Sequence, residues 1–308
     1  MWAGELKGLV GRAHPAKALI LCHHNADPDA VCSAFALTRW LKSVREDLDV
    51  VCYAAQGVSR VSKRILGYLG FSFSSEARPG EAGLLLMVDT NNVEQLEELK
   101  EEVVALAKSI PLVVLDHHAR HPDTERIATL YLVDEGASST CELVLRLYEE
   151  AGVALEKPVA EALFLGIAYD TRHLLYASPE TFIAVAKLVR AGARPGELFP
   201  LLSMEMELPE RVARLKASTR ARIYRYGDWL VALSHVSAFQ ASAARALLGL
   251  GAHLAVVAGE KEGRLRISMR ATDEFAPKSG IHLGRDLARP LGELMRGMGG
   301  GHALSAGA

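Results

Sequence analysis

Apolar and polar positions in the first part of the chain fall into blocks of two kinds. Apolar runs at 18–22, 48–54, 84–89 and 111–116 have strand length. The segments 30–44, 58–69 and the charged stretch 93–109 instead repeat their apolar residues at helical period. Strand and helix in alternation predict a mostly parallel sheet with helices on both faces. A further strand is predicted at 131–133. Ser139-Thr140-Cys141-Glu142 then has the spacing of a capping box, opening a helix to about Glu150. Helices at 158–169 and 181–191 follow.

Gly192, Pro195, Gly196 and Pro200 predict a break, with a connecting helix at 209–220. From Ile223 the pattern changes. Strand-like stretches at 223–226 and 229–234 flank Gly227-Asp228, a hairpin signal. A helix at 241–250, strands at 254–258 and 265–269 and a helix at 284–295 complete a smaller α+β unit. The expected domains are therefore 1–192, a helical linker at 193–221, and 222–308.

Composition sharpens this division. The net charge of -2 hides a split: residues 1–189 hold 18 Lys and Arg against 26 Asp and Glu, and residues 190–308 hold 17 against 11. An acidic first part suits bound cations, and a basic second part suits an anionic ligand. The apolar runs are too short for a membrane span. No secretory signal pattern opens the chain, so a cytoplasmic location is expected. The four cysteines form no CxxC pair and sit in apolar runs, which predicts buried free thiols.

Three apolar runs end in polar residues: His23-His24-Asn25, Asp89-Thr90-Asn91-Asn92 and Asp116-His117-His118. Ligands of open parallel sheets bind beyond the carboxyl ends of the strands, so these three ends are expected to form one site. Asp27 and Asp29 open the next helix, and Asp170 follows an apolar helix. A single Asp in such a place caps a helix. So many carboxylates together call for cations, because unpaired charge of one sign is costly to gather. Oxygen-rich ligands with one or two imidazoles suit two divalent ions, Mn²⁺ foremost, with Mg²⁺ or Co²⁺ as alternatives. The spacing leaves open which of His117 and His118 is the ligand. Asn25 suits either a phosphate contact or the turn itself.

These residues carry a resemblance. His23-His24-Asn25-Ala26-Asp27-Pro28-Asp29-Ala30, Val88-Asp89-Thr90, Asp116-His117-His118 and Tyr169-Asp170-Thr171 resemble the four motifs of the DHH phosphoesterase superfamily. Gly299-Gly300-Gly301-His302 resembles the glycine-rich signature of the DHH-associated domain, a pairing found in RecJ-type exonucleases and NrnA-type nanoRNases and pAp phosphatases. The resemblance implies an active site in the cleft between two domains. It implies one metal on His23, Asp27 and Asp89 and another on Asp29, Asp89, His117 and Asp170, with Asp89 bridging. His118 would face the scissile phosphate, and Asp116 would orient the histidine pair. Two such ions lower the pKa of a shared water for in-line attack.

After Asp170-Thr171, Arg172 stands where NrnA-like members often have Gly, and it is a candidate phosphate contact from a shifted position. Arg266 and Arg270 lie on one face of an alternating strand, and with Gly300, Gly301 and His302 they are expected to hold the nucleotide. The expected activity is metal-dependent hydrolysis of short single-stranded oligonucleotides or small nucleotides to nucleoside 5′-monophosphates, with a homodimer possible. Cyclic-dinucleotide cleavage, RecJ-like exonuclease action, pyrophosphatase or exopolyphosphatase activity and a non-catalytic scaffold are the alternatives.

Overall fold

The computed structural model describes residues 1–203, 206–260 and 263–308, together with the backbone of Lys261. The chain folds as two compact units, Met1–Met204 and Glu205–Ala308.

In the first unit, five strands form one parallel sheet: β1 (Lys17–Cys22), β2 (Asp49–Ala54), β3 (Leu84–Val88), β4 (Leu112–Asp116) and β5 (Leu130–Val133). Their order is β2-β1-β3-β4-β5, so the winding reverses between β1 and β3. β3 and β4 are buried at every position, as strands covered on both faces must be. Alternate residues serve different cores. Ala18, Ile20 and Cys22 pack with the helices Pro28–Val44, Thr140–Ala151 and Lys157–Asp170, while Leu19 and Leu21 pack with Val93, Leu96 and Val103.

The second unit is a mixed sheet of β6 (Arg222–Tyr226), β7 (Trp229–His235), β8 (Leu254–Lys261), β9 (Arg264–Ala271), β10 (Gly300–Gly301) and β11 (Ser305–Gly307). Its order is β10-β11-β9-β8-β7-β6, and only β7 and β8 pair in parallel. Gly227 takes left-handed φ in the two-residue β6–β7 turn. At Gly299 an added Cβ would sit 1.8 Å from the Ala288 carbonyl oxygen. The glycine run thus lies directly on a neighbouring backbone, which no side chain would permit.

The structure departs from the sequence pattern in several elements. Residues 93–109 do not form one amphipathic helix. A 3-10 stretch, Val93–Leu99, breaks at Glu97 (φ 52°, ψ -119°) and an α-helix resumes over Lys100–Leu106. The break at Pro195 and Pro200 is a helix, Pro195–Leu202, with proline in its first turn and Leu198 and Leu202 in the core of the first unit. The expected linker 193–221 is consequently shared out: its first part belongs to the first unit, and the helix Leu208–Thr219 buries Ala217 in the second. An additional helix, Trp2–Ala13, docks Ala3, Leu6 and Val10 on the first core despite three glycines. Residues 284–295 begin as a π-helical turn, Leu283–Ala288, before the α-helix Arg289–Leu294.

Trp40 anchors the face of the sheet that carries the longer helices. It is fully buried, and its indole N–H donates to the Leu147 carbonyl at 3.2 Å. Trp40→Ala is expected to destabilise the first unit by about 3–5 kcal/mol, measured by denaturant unfolding. A loss below about 1 kcal/mol would show that this side of the core does not depend on it.

Candidate metal centre

The reversal of winding between β1 and β3 opens a crevice at their carboxyl ends, and the polar residues that follow the strands line it. His23 follows β1, Asp89 follows β3, and Asp116-His117-His118 close β4. Asp27 caps the helix Pro28–Val44, with its Oδ1 accepting from the backbone N–H groups of Asp29 (2.9 Å) and Ala30 (3.2 Å). Asp170 ends the helix Lys157–Asp170.

Three groups of potential ligands result: His23, Asp27 and Asp89; Asp29, His117 and Asp170; and Asp89, Asp116, His117 and His118. Within each group the ligand atoms lie within 4.8 Å of one another. Asp89 turns one oxygen to each side: Oδ2 is 3.7 Å from His23 Nε2 and Oδ1 is 3.7 Å from His117 Nε2. His117 Nε2 is also 3.2 Å from Asp170 Oδ2.

Both inner histidines are aimed by their backbone contacts. His23 Nδ1 lies 2.8 Å from the His24 carbonyl and His117 Nδ1 lies 3.3 Å from the Ala137 carbonyl. A carbonyl only accepts, so each Nδ1 carries the proton and each Nε2 faces the carboxylates. His117 Nε2 is buried without a hydrogen-bond partner. His118 is placed differently. Its Nδ1 is 2.8 Å from the fully buried Asp116, and the ring is more than half exposed. The same Asp116 oxygen accepts the His117 backbone N–H.

The electrostatics are those of a buried carboxylate cluster. Burial, then Asp89 and Asp170, push Asp29 well above the usual carboxylate range. Burial also raises Asp89, against the hydrogen bond from His23. Burial pulls the His23 imidazole down, but Asp27 and Asp89 outweigh it and hold it at about 10. The hydrogen bond to Asp116 raises His118 to about 9. An orphaned imidazole nitrogen amid buried carboxylates is the environment that a divalent cation completes, and this oxygen-rich donor set fits two such ions.

Several residues outside the predicted set hold this centre. Thr140 donates its backbone N–H to Asp29 Oδ2 (2.6 Å) and its hydroxyl to Asp89 Oδ1 (2.8 Å). Cys141 N–H adds a bond to Asp29 Oδ1. The start of the helix Thr140–Ala151 therefore receives the carboxylate of Asp29. The Ser139 capping signal marked that helix start, but nothing in the sequence told which carboxylate it would meet. Asn91 ties the loop after β3 to the loop after β4, donating to the carbonyls of His118 and Ala119. Asn25 takes the left-handed turn between His23 and Asp27 (φ 52°). Arg172, His173 and Leu174 are all left-handed, and the Arg172 guanidinium lies over Tyr176.

In the second unit, Arg266 and Gly300 line one groove together with Arg264 and Arg296. Gly301, Arg270 and His302 do not line it. Arg270 is partly buried and donates to the Met269 carbonyl, and Gly301 pairs with Ala306.

Fold and site together define a two-unit α/β protein with a divalent-metal centre at the ends of a parallel sheet. Residues 17–167 match the model of the DHH family, N-terminal domain. An uncharacterized protein of Methanocaldococcus jannaschii is 35% identical over 297 residues, covering 94% of this chain and 86% of that one. A probable manganese-dependent inorganic pyrophosphatase of Streptococcus mutans is 30% identical over 166 residues, 54% of this chain and 51% of the other. In three dimensions, an exopolyphosphatase-related protein from Bacteroides fragilis has a TM-score of 0.64 at 18% identity, over 99% of this chain and 90% of that one. The chain belongs to the DHH family of phosphoesterases.

Two outcomes test the centre. An added Cβ at Gly166 would lie 2.3 Å from Cys141 Sγ and 2.7 Å from Asp29 Oδ1. Gly166→Ala should destabilise by about 1–3 kcal/mol although alanine is the better helix former, and it should shrink the rise in melting temperature on adding Mn²⁺. In addition, His23 at about 10 is protonated at neutral pH, while a metal ligand must be neutral. Mn²⁺ binding at pH 7 should release protons and weaken as the pH falls. Calorimetry in two buffers of unlike ionisation enthalpy reads this directly, and identical apparent enthalpies would contradict it.

Proposed function

We propose that this chain is a metal-dependent phosphodiesterase that hydrolyses short single-stranded oligonucleotides or small nucleotides, nanoRNA, pApA and pAp among them, to nucleoside 5′-monophosphates. One observation carries the reading: Asp89 turns one oxygen toward His23 and the other toward His117, and the exposed His118, backed by the buried Asp116, stands beside them. His23, Asp27 and Asp89 would hold one ion, and Asp29, Asp89, His117 and Asp170 the other. When bound, the ions supply the positive charge that activates a water and offsets the phosphate.

His118 presents Nε2 outward because Nδ1 is engaged by Asp116. Held protonated, it stabilises charge on the phosphate or passes its proton to the departing 3′ oxygen. Asp116 fixes the ring's orientation and favours its charged form. Arg172 is the nearest cation in sequence to Asp170 and is assigned a phosphate. Arg266, Arg270, Gly300, Gly301 and His302 are assigned to the remainder of the substrate. Asn25 serves the turn and can add a phosphate contact. Among the described residues no helix is long and apolar enough to cross a membrane, and all four cysteines are free and buried, in keeping with a cytoplasmic setting.

A second reading, hydrolysis of pyrophosphate or inorganic polyphosphate, is favoured by the Streptococcus mutans relative and the Bacteroides fragilis structure. Products separate the two. With Mn²⁺, pApA and a five-nucleotide RNA should yield nucleoside 5′-monophosphates, and inorganic pyrophosphate should be turned over far more slowly. Release of orthophosphate from pyrophosphate, with pApA untouched, would select the second reading. His118→Gln should lower kcat about 10²–10⁴-fold with two Mn²⁺ still bound, whereas Asp89→Asn should lose bound metal as well. Metal analysis alongside turnover distinguishes the variants.

A further inference from the structure

The second unit contains a groove of about 1100 Å³, beyond the size needed for a drug-sized ligand. One wall is the exposed start of β9, with Arg264 and Arg266. The others carry Phe239, at the start of the helix Gln240–Gly249, and Arg296 and Met298, which precede Gly300. None of the described residues lining the groove is acidic, so its three guanidinium groups set the sign of its field.

Phe239 and Arg296 share a second property. Among the described residues of this unit they are the non-glycine residues with left-handed backbone, at φ 61° and φ 57°. Such a backbone is costly for residues with a Cβ, and observed strain of this kind concentrates at ligand sites. Here both residues line the same groove, one aromatic and one cationic. Phe239 remains 39% exposed and Met298 92% exposed, an apolar surface that an inorganic anion would leave wet.

We infer that Phe239 and Arg296 form a clamp for one 5′-nucleotide unit of a single-stranded nucleic acid: the base stacks on Phe239, and Arg264, Arg266 and Arg296 take its phosphates. This rests on the phosphodiesterase reading and deepens it, because the clamp selects ligands that carry a base. A guanidinium fork matches phosphate oxygens, and any base offers a flat face to an aromatic ring, so the recognition is tolerant of sequence. A pyrophosphate or polyphosphate would engage the arginines alone.

The test compares AMP with ribose 5-phosphate by calorimetry on the Mn²⁺-loaded full chain, since the two differ only in the base. The wild type should bind AMP about tenfold more tightly. Phe239→Leu should remove that difference, and Phe239→Trp should keep it. Arg296→Gln should weaken both ligands severalfold and flatten the salt dependence. Equal affinity of the wild type for both ligands, or an undiminished preference in a folded Phe239→Leu, would overturn the inference. Should Phe239→Leu fail to fold, the wild-type comparison and Arg296→Gln still decide. Hydrolysis of pApA by the wild type without base-dependent binding would sink the clamp and spare the phosphodiesterase. Base-dependent AMP binding without any hydrolysis of pApA would do the reverse.

Discussion

Asp29 and Asp89 are both withdrawn from solvent, and burial together with the charge of Asp89 raises the affinity of Asp29 for protons. Left alone, that arrangement opposes folding, since like charges in a poorly solvated place repel and lack water. Much of the first unit is arranged around this difficulty. Helix starts are brought to the carboxylates: Asp27 takes two N–H groups of its own helix, and Asp29 takes those of Thr140 and Cys141. Two imidazoles are turned inward by backbone carbonyls. A glycine at 166 leaves room for the Asp29 carboxylate and the Cys141 thiol on one helix face. What backbone dipoles and imidazoles leave uncompensated is the charge that cations complete, so the metal requirement follows from the electrostatics as well as from kinship.

The topology explains why these residues meet. Consecutive parallel strands send their carboxyl ends to one edge of the sheet, and the reversal between β1 and β3 separates the loops that leave them. His23 and Asp89 stand on either side of that reversal. Asp89 has left-handed φ (58°), a strained position for an aspartate, and it presents one oxygen to each histidine. Thr140 restrains it through a hydroxyl bond while its own N–H holds Asp29. The orientation of Asp89 therefore depends on a helix that supplies none of the predicted ligands.

The ends of three strands were legible because their apolar runs stop abruptly at Asp, His or Asn, and burial on both faces disfavours such residues inside a strand. Other features were not legible, for physical reasons that differ. The run 93–109 has helical periodicity throughout, and local pattern alone does not register the reversal at Glu97. Trp2–Ala13 carries three glycines and is held by packing, with Glu150 accepting the Ala3 N–H, so propensity argues against a helix that tertiary contact makes. Pro195 reads as a breaker but suits a first turn. At the site, residue types and order pointed to side chains that the fold brings together. The supporting bonds of Thr140 and Asn91 join positions 27 to 111 residues from their partners and leave no local trace.

In the second unit the glycine motif has a structural task of its own. Three successive glycines suggest a cradle of free N–H groups, yet Gly299 is required by contact with the Ala288 backbone, and Gly301 is drawn into pairing with β11. Gly300 alone of the three has open space where a Cβ would stand. The run therefore fixes the course of the chain, and side chains around it add charge that would meet a ligand beside Gly300. That assignment has a chemical consequence. Backbone N–H groups would favour any anion small enough to reach them, whereas guanidinium groups beside an exposed phenyl ring favour an anion attached to something flat. In the first unit the metal centre is suited to phosphate esters as a class. The distinction between a nucleotide and a bare polyphosphate then has to be made by surfaces that contact more than phosphate, and the proposed clamp of Phe239 and Arg296 would make it.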